Sequence, residues 1–521
     1  MEHTGAFSIV AINDYIPQKL KPWVMILIVI IIQLSGGVYL ASISQMTGAL
    51  SLMQEDILMA GYASLLGMSL TFTIMFRLKF RFTSKFSLLI CCFVIIVSNL
   101  ICMHSSNVFI LVLTCFIAGF FRMWATFECN SSIQLWLTPK RDLSIFFCYI
   151  YLLVQSCIQL CGLLSIYSSF FYNWKYMHLI IITLLLIIMI TIMFIFNDKR
   201  SLPKMPLLGI DWFGMFLWGA GILSILYVLV YGNHLDWWQS KQIRIALIAG
   251  ASIIALNILR ASFIRHPFIP LITFKYKIVY TTVFLFFIVD ILLAPSHILE
   301  HIYLEKILGY DSINYINLNY IILIGVFVGG IFSYYTFAIK KWGYKTMTVI
   351  AFSCIIIYLL IFYFIVDYNL SKSSLFLPLF LRSFAYVIIS ICFLTSLSRV
   401  PFEHFFNAVS VQGFASAAIG GIFGASVIEH FFKVLFNKNF NNISSSLDNV
   451  NTTINRFITS ELTQKINEQV LLVSIKEIYG YLCIGAILCL LIFLLKESDI
   501  RPKNVIHPTY NAIARAIRKS F

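Results

Sequence analysis

Trp23 to Ser44 reads WVMILIVIIIQLSGGVYLASIS, without one charged residue. A bilayer core about 30 Å thick is crossed by roughly 20 helical residues at about 1.5 Å rise each. A helix half-exposed to water would confine its apolar residues to one stripe, whereas this stretch is apolar all round. Thirteen further segments of the same kind follow, at about 56–77, 86–104, 107–129, 143–168, 176–196, 211–232, 243–264, 278–299, 315–338, 346–366, 374–397, 405–432 and 474–495. The sequence therefore predicts an all-α polytopic membrane protein with fourteen transmembrane helices.

Composition agrees. Hydrophobic residues make up 60% of the chain and charged residues 11%, against about 45–50% and about 25% in soluble domains. The net charge of +15 does not point to nucleic acid, because the basic residues fall in short loops between spans. With the N-terminus inside, the short outer loops carry only Lys175, Lys241, Arg244, Lys306 and Lys372. That asymmetry is the positive-inside pattern, and it predicts both termini in the cytoplasm. Richness in Ile, Phe, Asn, Lys and Tyr suggests an AT-rich bacterial genome, and so a bacterial inner-membrane protein is expected. Residues 1–22 lack the apolar core and small-residue site of a secretory signal. The 12 cysteines lie in or beside spans and read as packing residues. No Cys/His spacing suggests a metal, and no Gly-rich Lys-Ser/Thr loop suggests a nucleotide, so neither a metal nor a cofactor is expected.

Five regions are expected: a cytoplasmic segment 1–22, a six-helix bundle 23–200, a two-helix hairpin 201–270, a second six-helix bundle 271–500 with a long outer loop 433–473, and a basic cytoplasmic tail 501–521. Repetition shows in the loops. RLKFRFTSKF (Arg77 to Phe86) follows span 2, and IKKWGYK (Ile339 to Lys345) follows span 10. Both are short and basic, eight spans apart, as expected if a two-span insertion separates related halves. Gly325 and Gly329, like Gly420 and Gly424, have the spacing that lets helices approach closely.

Several segments then match one family in order. Gly209 to Gly232 reads GIDWFGMFLWGAGILSILYVLVYG, Leu304 to Ser312 reads LEKILGYDS, and Phe406 to Ile428 reads FNAVSVQGFASAAIGGIFGASVI. These resemble the Asp-Trp-x-Gly entry of an inserted hairpin, an outer turn before span 10 and a small-residue span 13. In that order they resemble the fourteen-span drug:proton antiporters of the major facilitator superfamily, over roughly residues 20–500. The resemblance implies a major facilitator fold in a 6+2+6 arrangement. It also implies a cytoplasmic gating motif after span 2, of which Gly61, Arg81 and Lys85 are the remnant. Phe80 and Thr83 stand where that motif has Asp and Gly.

Charge deep in a bilayer costs about 2.5–3.5 kcal/mol on insertion scales, so such a residue faces a cavity or a partner. Asp290, in VFLFFIVDILLAP, lies near the middle of span 9 and is the proton-coupling candidate, with substrate binding or a structural partnership as the alternatives. Arg382, in PLFLRSFAY of span 12, either binds an anionic group, counters Asp290 or forms a fixed inter-helix pair. Gln33 in span 1 and Gln155 and Gln159 in span 5 are substrate-cavity candidates, with interhelical hydrogen bonding as the alternative. Arg122 and Glu128, both in span 4, are expected to make structural charge pairs between helices.

The function expected is secondary active export of amphipathic or lipophilic small molecules, multidrug-efflux-like and coupled to protons. Its partners would be the small-molecule substrate, protons, the lipid bilayer and, if the source is Gram-negative, a periplasmic adaptor. The alternatives are a lipid-linked glycan flippase, or a degenerate transporter with another substrate or a non-transport role. An enzyme is not expected, since His266, His404 and His430 have no catalytic partner in sequence.

Overall fold

The computed structural model describes residues 11–36, 43–138, 142–199, 204–296, 298–311, 313–314, 316–445 and 459–495. The basic tail 501–521 lies outside these residues. Helices account for nearly all the structure: α1 Lys21–Leu34, α2 Gln54–Arg81, α3 Ser84–His104, α4 Val108–Leu137, α5 Leu143–Phe171, α6 Lys175–Ile195, α7 Trp212–Tyr231 and α8 Lys241–Phe263. They continue with α9 Lys277–Leu293, α10 Ile316–Ser333, α11 Tyr344–Ile365 and α12 Phe376–Leu397. The α13 helix comprises Phe402–Gly413 and Gly421–Ser445 around a wider turn at Phe414–Gly420, and α14 is Thr459–Leu494. Among the described residues, 13 helices are long and apolar enough to cross a membrane, and α1 is a shorter apolar helix of 14 residues. A separate helix, Ile43–Leu50, follows α1.

Local signals start these helices. Asn107 Oδ1 accepts from the Phe109 and Ile110 amides at the head of α4, and Asp142 Oδ1 accepts from Ser144 N at the head of α5. Such caps satisfy amides that have no partner within the helix. Asp211 caps α7 most fully. Its carboxylate accepts from the amides of Gly214 and Phe268 and takes two bonds from the Arg260 guanidinium of α8, at 2.9 and 2.6 Å. A side chain at Gly214 would collide with this pair, which explains the Asp-Trp-x-Gly entry. Burial pushes the Asp211 carboxyl up, but the bonds from Arg260, Gly214 and Phe268 outweigh it and hold the group below the usual aspartate range.

Tertiary packing repeats along the chain. The pairs α1–α4, α1–α5, α2–α4, α3–α4 and α3–α6 each have a counterpart eight helices on: α9–α12, α9–α13, α10–α12, α11–α12 and α11–α14. The two sets meet along α2–α13, α5–α10 and α5–α12. The α7–α8 hairpin packs through α7 onto α2 and α13, while most of α8 is left exposed. Tyr231 of α7 donates to Asp56 of α2 at 2.5 Å, and Asn233 donates to Glu429 of α13 at 3.0 Å. At the other end, Ile12 bridges to Phe196 and the Asn13 amide donates to Ile195 O, so the segment before α1 lies beside the end of α6.

The start of the expected outer loop 433–473 is helical through Ser445, whereas helix from Thr459 is the amphipathic lead into span 14 that ITSELTQKINEQVLLVSIKEI suggests. The α13 helix continues to Ser445 and α14 begins at Thr459, and Asn439 Nδ2 donates to Ser474 Oγ and Glu477 Oε2, both at 3.1 Å. Asn and Ser richness favours loops locally, but for the described residues up to Ser445 the bonds from Asn439 and the burial of Leu435 override that preference.

Candidate transport cavity

Between the two packing sets lies a cavity of ≈ 550 Å³. It is lined by α1, α2, α4 and α5 from one set and by α9, α10, α12 and α13 from the other. No lining residue belongs to α3, α6, α7, α8, α11 or α14. Aromatic and thioether side chains (Phe72, Phe127, Phe146, Phe147, Phe405, Phe406, Met68, Met75 and Met123) form an apolar part of the wall.

The sets touch at both ends of this space. At one end Phe76 of α2 packs edge-on against Phe406 of α13 at 4.5 Å, and Lys341 Nζ lies 2.5 Å from Asp142 Oδ2. This is the one ion pair between the two sets among the described residues. At the other end the hydroxyls of Tyr167 and Tyr320 lie 3.1 Å apart. Between them Ser410 donates to the Ser69 carbonyl at 2.8 Å.

Asp290 lines the cavity from α9. Its Oδ2 is fully buried, has no hydrogen-bond partner, and occupies the place a side chain at Gly420 of α13 would take. A Cβ at Gly424 would stand 2.7 Å from the Asp290 carbonyl oxygen. The small-residue spacing of span 13, together with the wider turn at Phe414–Gly420, therefore lets α13 approach the α9 carboxylate closely. Tyr62, Tyr151 and Tyr386 line the same space.

All four residues expected in the cavity line it: Gln33, Gln155, Gln159 and Arg382. Gln33 donates to Thr126 Oγ1 of α4 at 2.8 Å. Gln155 of α5 and Tyr386 of α12 both line the cavity. Arg382 does not pair with Asp290. Its Nη1 lies 2.5 Å from Oε2 of Glu300, whose Oε1 accepts from the Tyr358 hydroxyl at 2.7 Å. Glu300, with its side chain only 10% exposed, was readable in sequence merely as a polar group at the end of span 9. Short turns after Leu293 carry the chain on and return Glu300 to the bundle interior.

Glu128 and Arg122 part company. Glu128 Oε1 accepts from Ser84 of α3 at 2.5 Å and pairs with Lys79 of α2 at 3.4 Å, joining three helices. Arg122 has no carboxylate partner among the described residues, contrary to the pairing expected of it. Its guanidinium touches Met68 and fills the space a side chain at Gly36 would occupy, just past the end of α1. The carbonyl-rich end of a helix carries partial negative charge, which compensates a nearby cation.

The expected loop-motif remnant also divides. Arg81 closes α2 and Lys85 opens α3, but Gly61 lies in the second turn from the opposite end of α2. Twenty residues of helix put Gly61 about 30 Å from Arg81, so it belongs to no common gate with Arg81 and Lys85. Lys79, Glu128, Ser84 and Ser131 form the polar network at that corner instead.

No family model and no curated protein matches the chain. Solved structures do. A peptide transporter, POT, in complex with sulfate has a TM-score of 0.59 at 13% identity, covering 96% of this chain and 95% of that one. The nucleoside transporter NupG, as a point mutant, gives 0.54 at 13%, covering 90% and 99%. The proton:xylose symporter XylE, of the major facilitator superfamily, gives 0.52 at 13%, covering 93% and 97%. At such identity the likeness establishes the fold, and the fold is that of the major facilitators.

Proposed function

We propose that this chain of major facilitator fold is a secondary active transporter, arranged 6+2+6, that exports amphipathic or lipophilic small molecules in exchange for protons. The observation that carries this reading is the central cavity, shared between two helix sets and containing one unpaired buried carboxylate. Packing pairs that recur eight helices apart support two related bundles rocking about one site, with α7 and α8 as a peripheral insertion. Alternating access then opens the cavity by separating the contacts at one end while those at the other hold.

Asp290 is the group assigned to proton coupling. An anion without a donor in an apolar site is costly, and taking up a proton removes that cost. A carboxyl group reached in turn from two sides can therefore carry protons down their gradient while the empty and loaded cavities face opposite ways. Lys79, Arg81 and Lys85 place basic charge on the face assigned to the cytoplasm. Because Glu300 neutralises Arg382, no unpaired cation faces the cavity among the described residues, which speaks against capture of a lipid-linked phosphate by a flippase.

The test is transport by purified full-length protein in sealed vesicles, with an imposed pH gradient and a lipophilic fluorescent amphiphile. Accumulation that follows the gradient and collapses with a protonophore supports the proposal. Movement insensitive to the gradient removes proton coupling.

A further inference from the structure

The polar groups of the cavity differ in kind between its two sides, and that difference bears on the substrate. From α1 and α5 come Gln33, Gln155 and Gln159. Gln155 and Gln159 stand one helical turn apart, and Gln159 has no hydrogen-bond partner among the described residues. Each carboxamide offers two donors and one oxygen acceptor without net charge.

Of the two charged side chains that line the cavity, Arg382 is already paired and Asp290 is the group assigned to the proton. Arg382 is held by Glu300 at 2.5 Å, and its side chain is 14% exposed. Asp290 lines the cavity with its Oδ2 buried beside Gly420, and once protonated it carries no charge. Lys79, Arg122 and Glu128 are not lining residues. While Asp290 is protonated, a fixed charge on a bound molecule would lose its hydration and gain no free counter-charge, which is unfavourable in an apolar site. Hydroxyl or amide groups would find matched partners in the glutamines, and an aromatic or aliphatic body would find the phenylalanine wall. A volume of ≈ 550 Å³ is ample for one drug-sized molecule.

We infer that the cavity selects an uncharged amphiphile, with a hydroxyl- or amide-rich head and an apolar body, and that Gln33, Gln155 and Gln159 bind the head. This rests on the reading of the cavity as the transport site. It separates the groups that recognise substrate from the carboxylate that carries the proton.

The experiment is equilibrium binding to full-length protein in lipid nanodiscs, with no gradient and with empty nanodiscs correcting for partitioning. Three probes share one naphthyl body: a naphthyl glucoside, a naphthyl trimethylammonium and a naphthyl sulfonate. The glucoside should bind saturably and at least tenfold more tightly than either charged probe. Gln155→Leu with Gln159→Leu should weaken the glucoside at least tenfold, in protein whose thermal unfolding matches the parent's. Tighter binding of a charged probe, no binding of the glucoside, or unchanged affinity in the double variant would overturn the inference. If the double variant does not fold, the ranking of the three probes on the parent protein still decides. Glucoside binding without gradient-driven movement would spare this inference and sink coupled export. Gradient-driven movement of charged probes alone would do the reverse.

Discussion

Replacing Glu300 by Leu should be among the most damaging single changes outside the cavity's own lining. The substitution leaves Arg382 without its carboxylate and the Tyr358 hydroxyl without its acceptor, in a site where the Arg382 and Glu300 side chains are 14% and 10% exposed. Removing one member of a buried pair costs about 3–5 kcal/mol, because the remaining charge is left uncompensated. Converting both members to apolar residues of similar size is often close to neutral. Glu300→Leu alone should therefore lower stability by about 3–5 kcal/mol, while Glu300→Leu with Arg382→Met should recover most of the loss. Reversible unfolding in mixed micelles, followed by exposure of the buried cysteines to a thiol-reactive fluorophore, measures the parent, both single variants and the double variant. A loss below about 1 kcal/mol in the single variant, or a double variant as unstable as the sum of its parts, would refute the buried pair as described.

Three further outcomes follow from other contacts. The Asp211 carboxyl is held below the usual aspartate range, so its contribution is full above the unfolded-state value near about 4 and is lost as pH falls further. Protection of the first-turn amides of α7, taken as the ratio of intrinsic to observed exchange rate at each pH, should hold at pH 5 and fall below pH 4, and Asp211→Asn should remove that pH dependence. Gly424→Val should separate α9 from α13, because its Cβ would meet the Asp290 carbonyl at 2.7 Å; lower thermal stability with loss of transport is expected, and parent-like behaviour in both would contradict the packing. Asp142→Asn weakens the one described ion pair between the helix sets, so spin labels at Trp136 and Lys340 should show a larger population of long distances, with no change counting against the latch.

The helices were legible because the bilayer demands long uncharged runs, and the cavity candidates because a polar side chain in such a run needs somewhere to face. Gln33, Gln155, Gln159, Asp290 and Arg382 all line one space for that reason. What sequence did not disclose was partnership. Arg382 belongs to Glu300, which lies ten residues beyond Asp290 and is returned to the interior only by the turns after α9. Arg122 is accommodated by the absence of a side chain at Gly36, a contact between α4 and the end of α1 that no local pattern encodes. Gly61 was grouped with Arg81 and Lys85 by alignment to a motif, although a helix of known rise already places it at the other end. The first part of the Asn-rich stretch after span 13 reads as loop because propensity is local, whereas its helix through Ser445 is held by bonds from Asn439 to α14.

The proton-coupling assignment meets its most direct test in Asp290→Asn, which keeps size and hydrogen bonding but removes the titrating group. In sealed vesicles the variant should still exchange labelled for unlabelled substrate at equal concentrations, a step that needs alternating access but no net proton movement. It should fail to accumulate substrate when a pH gradient is imposed. Loss of accumulation with exchange retained is the result predicted, and accumulation equal to the parent protein's would contradict the assignment of Asp290 as the coupling group.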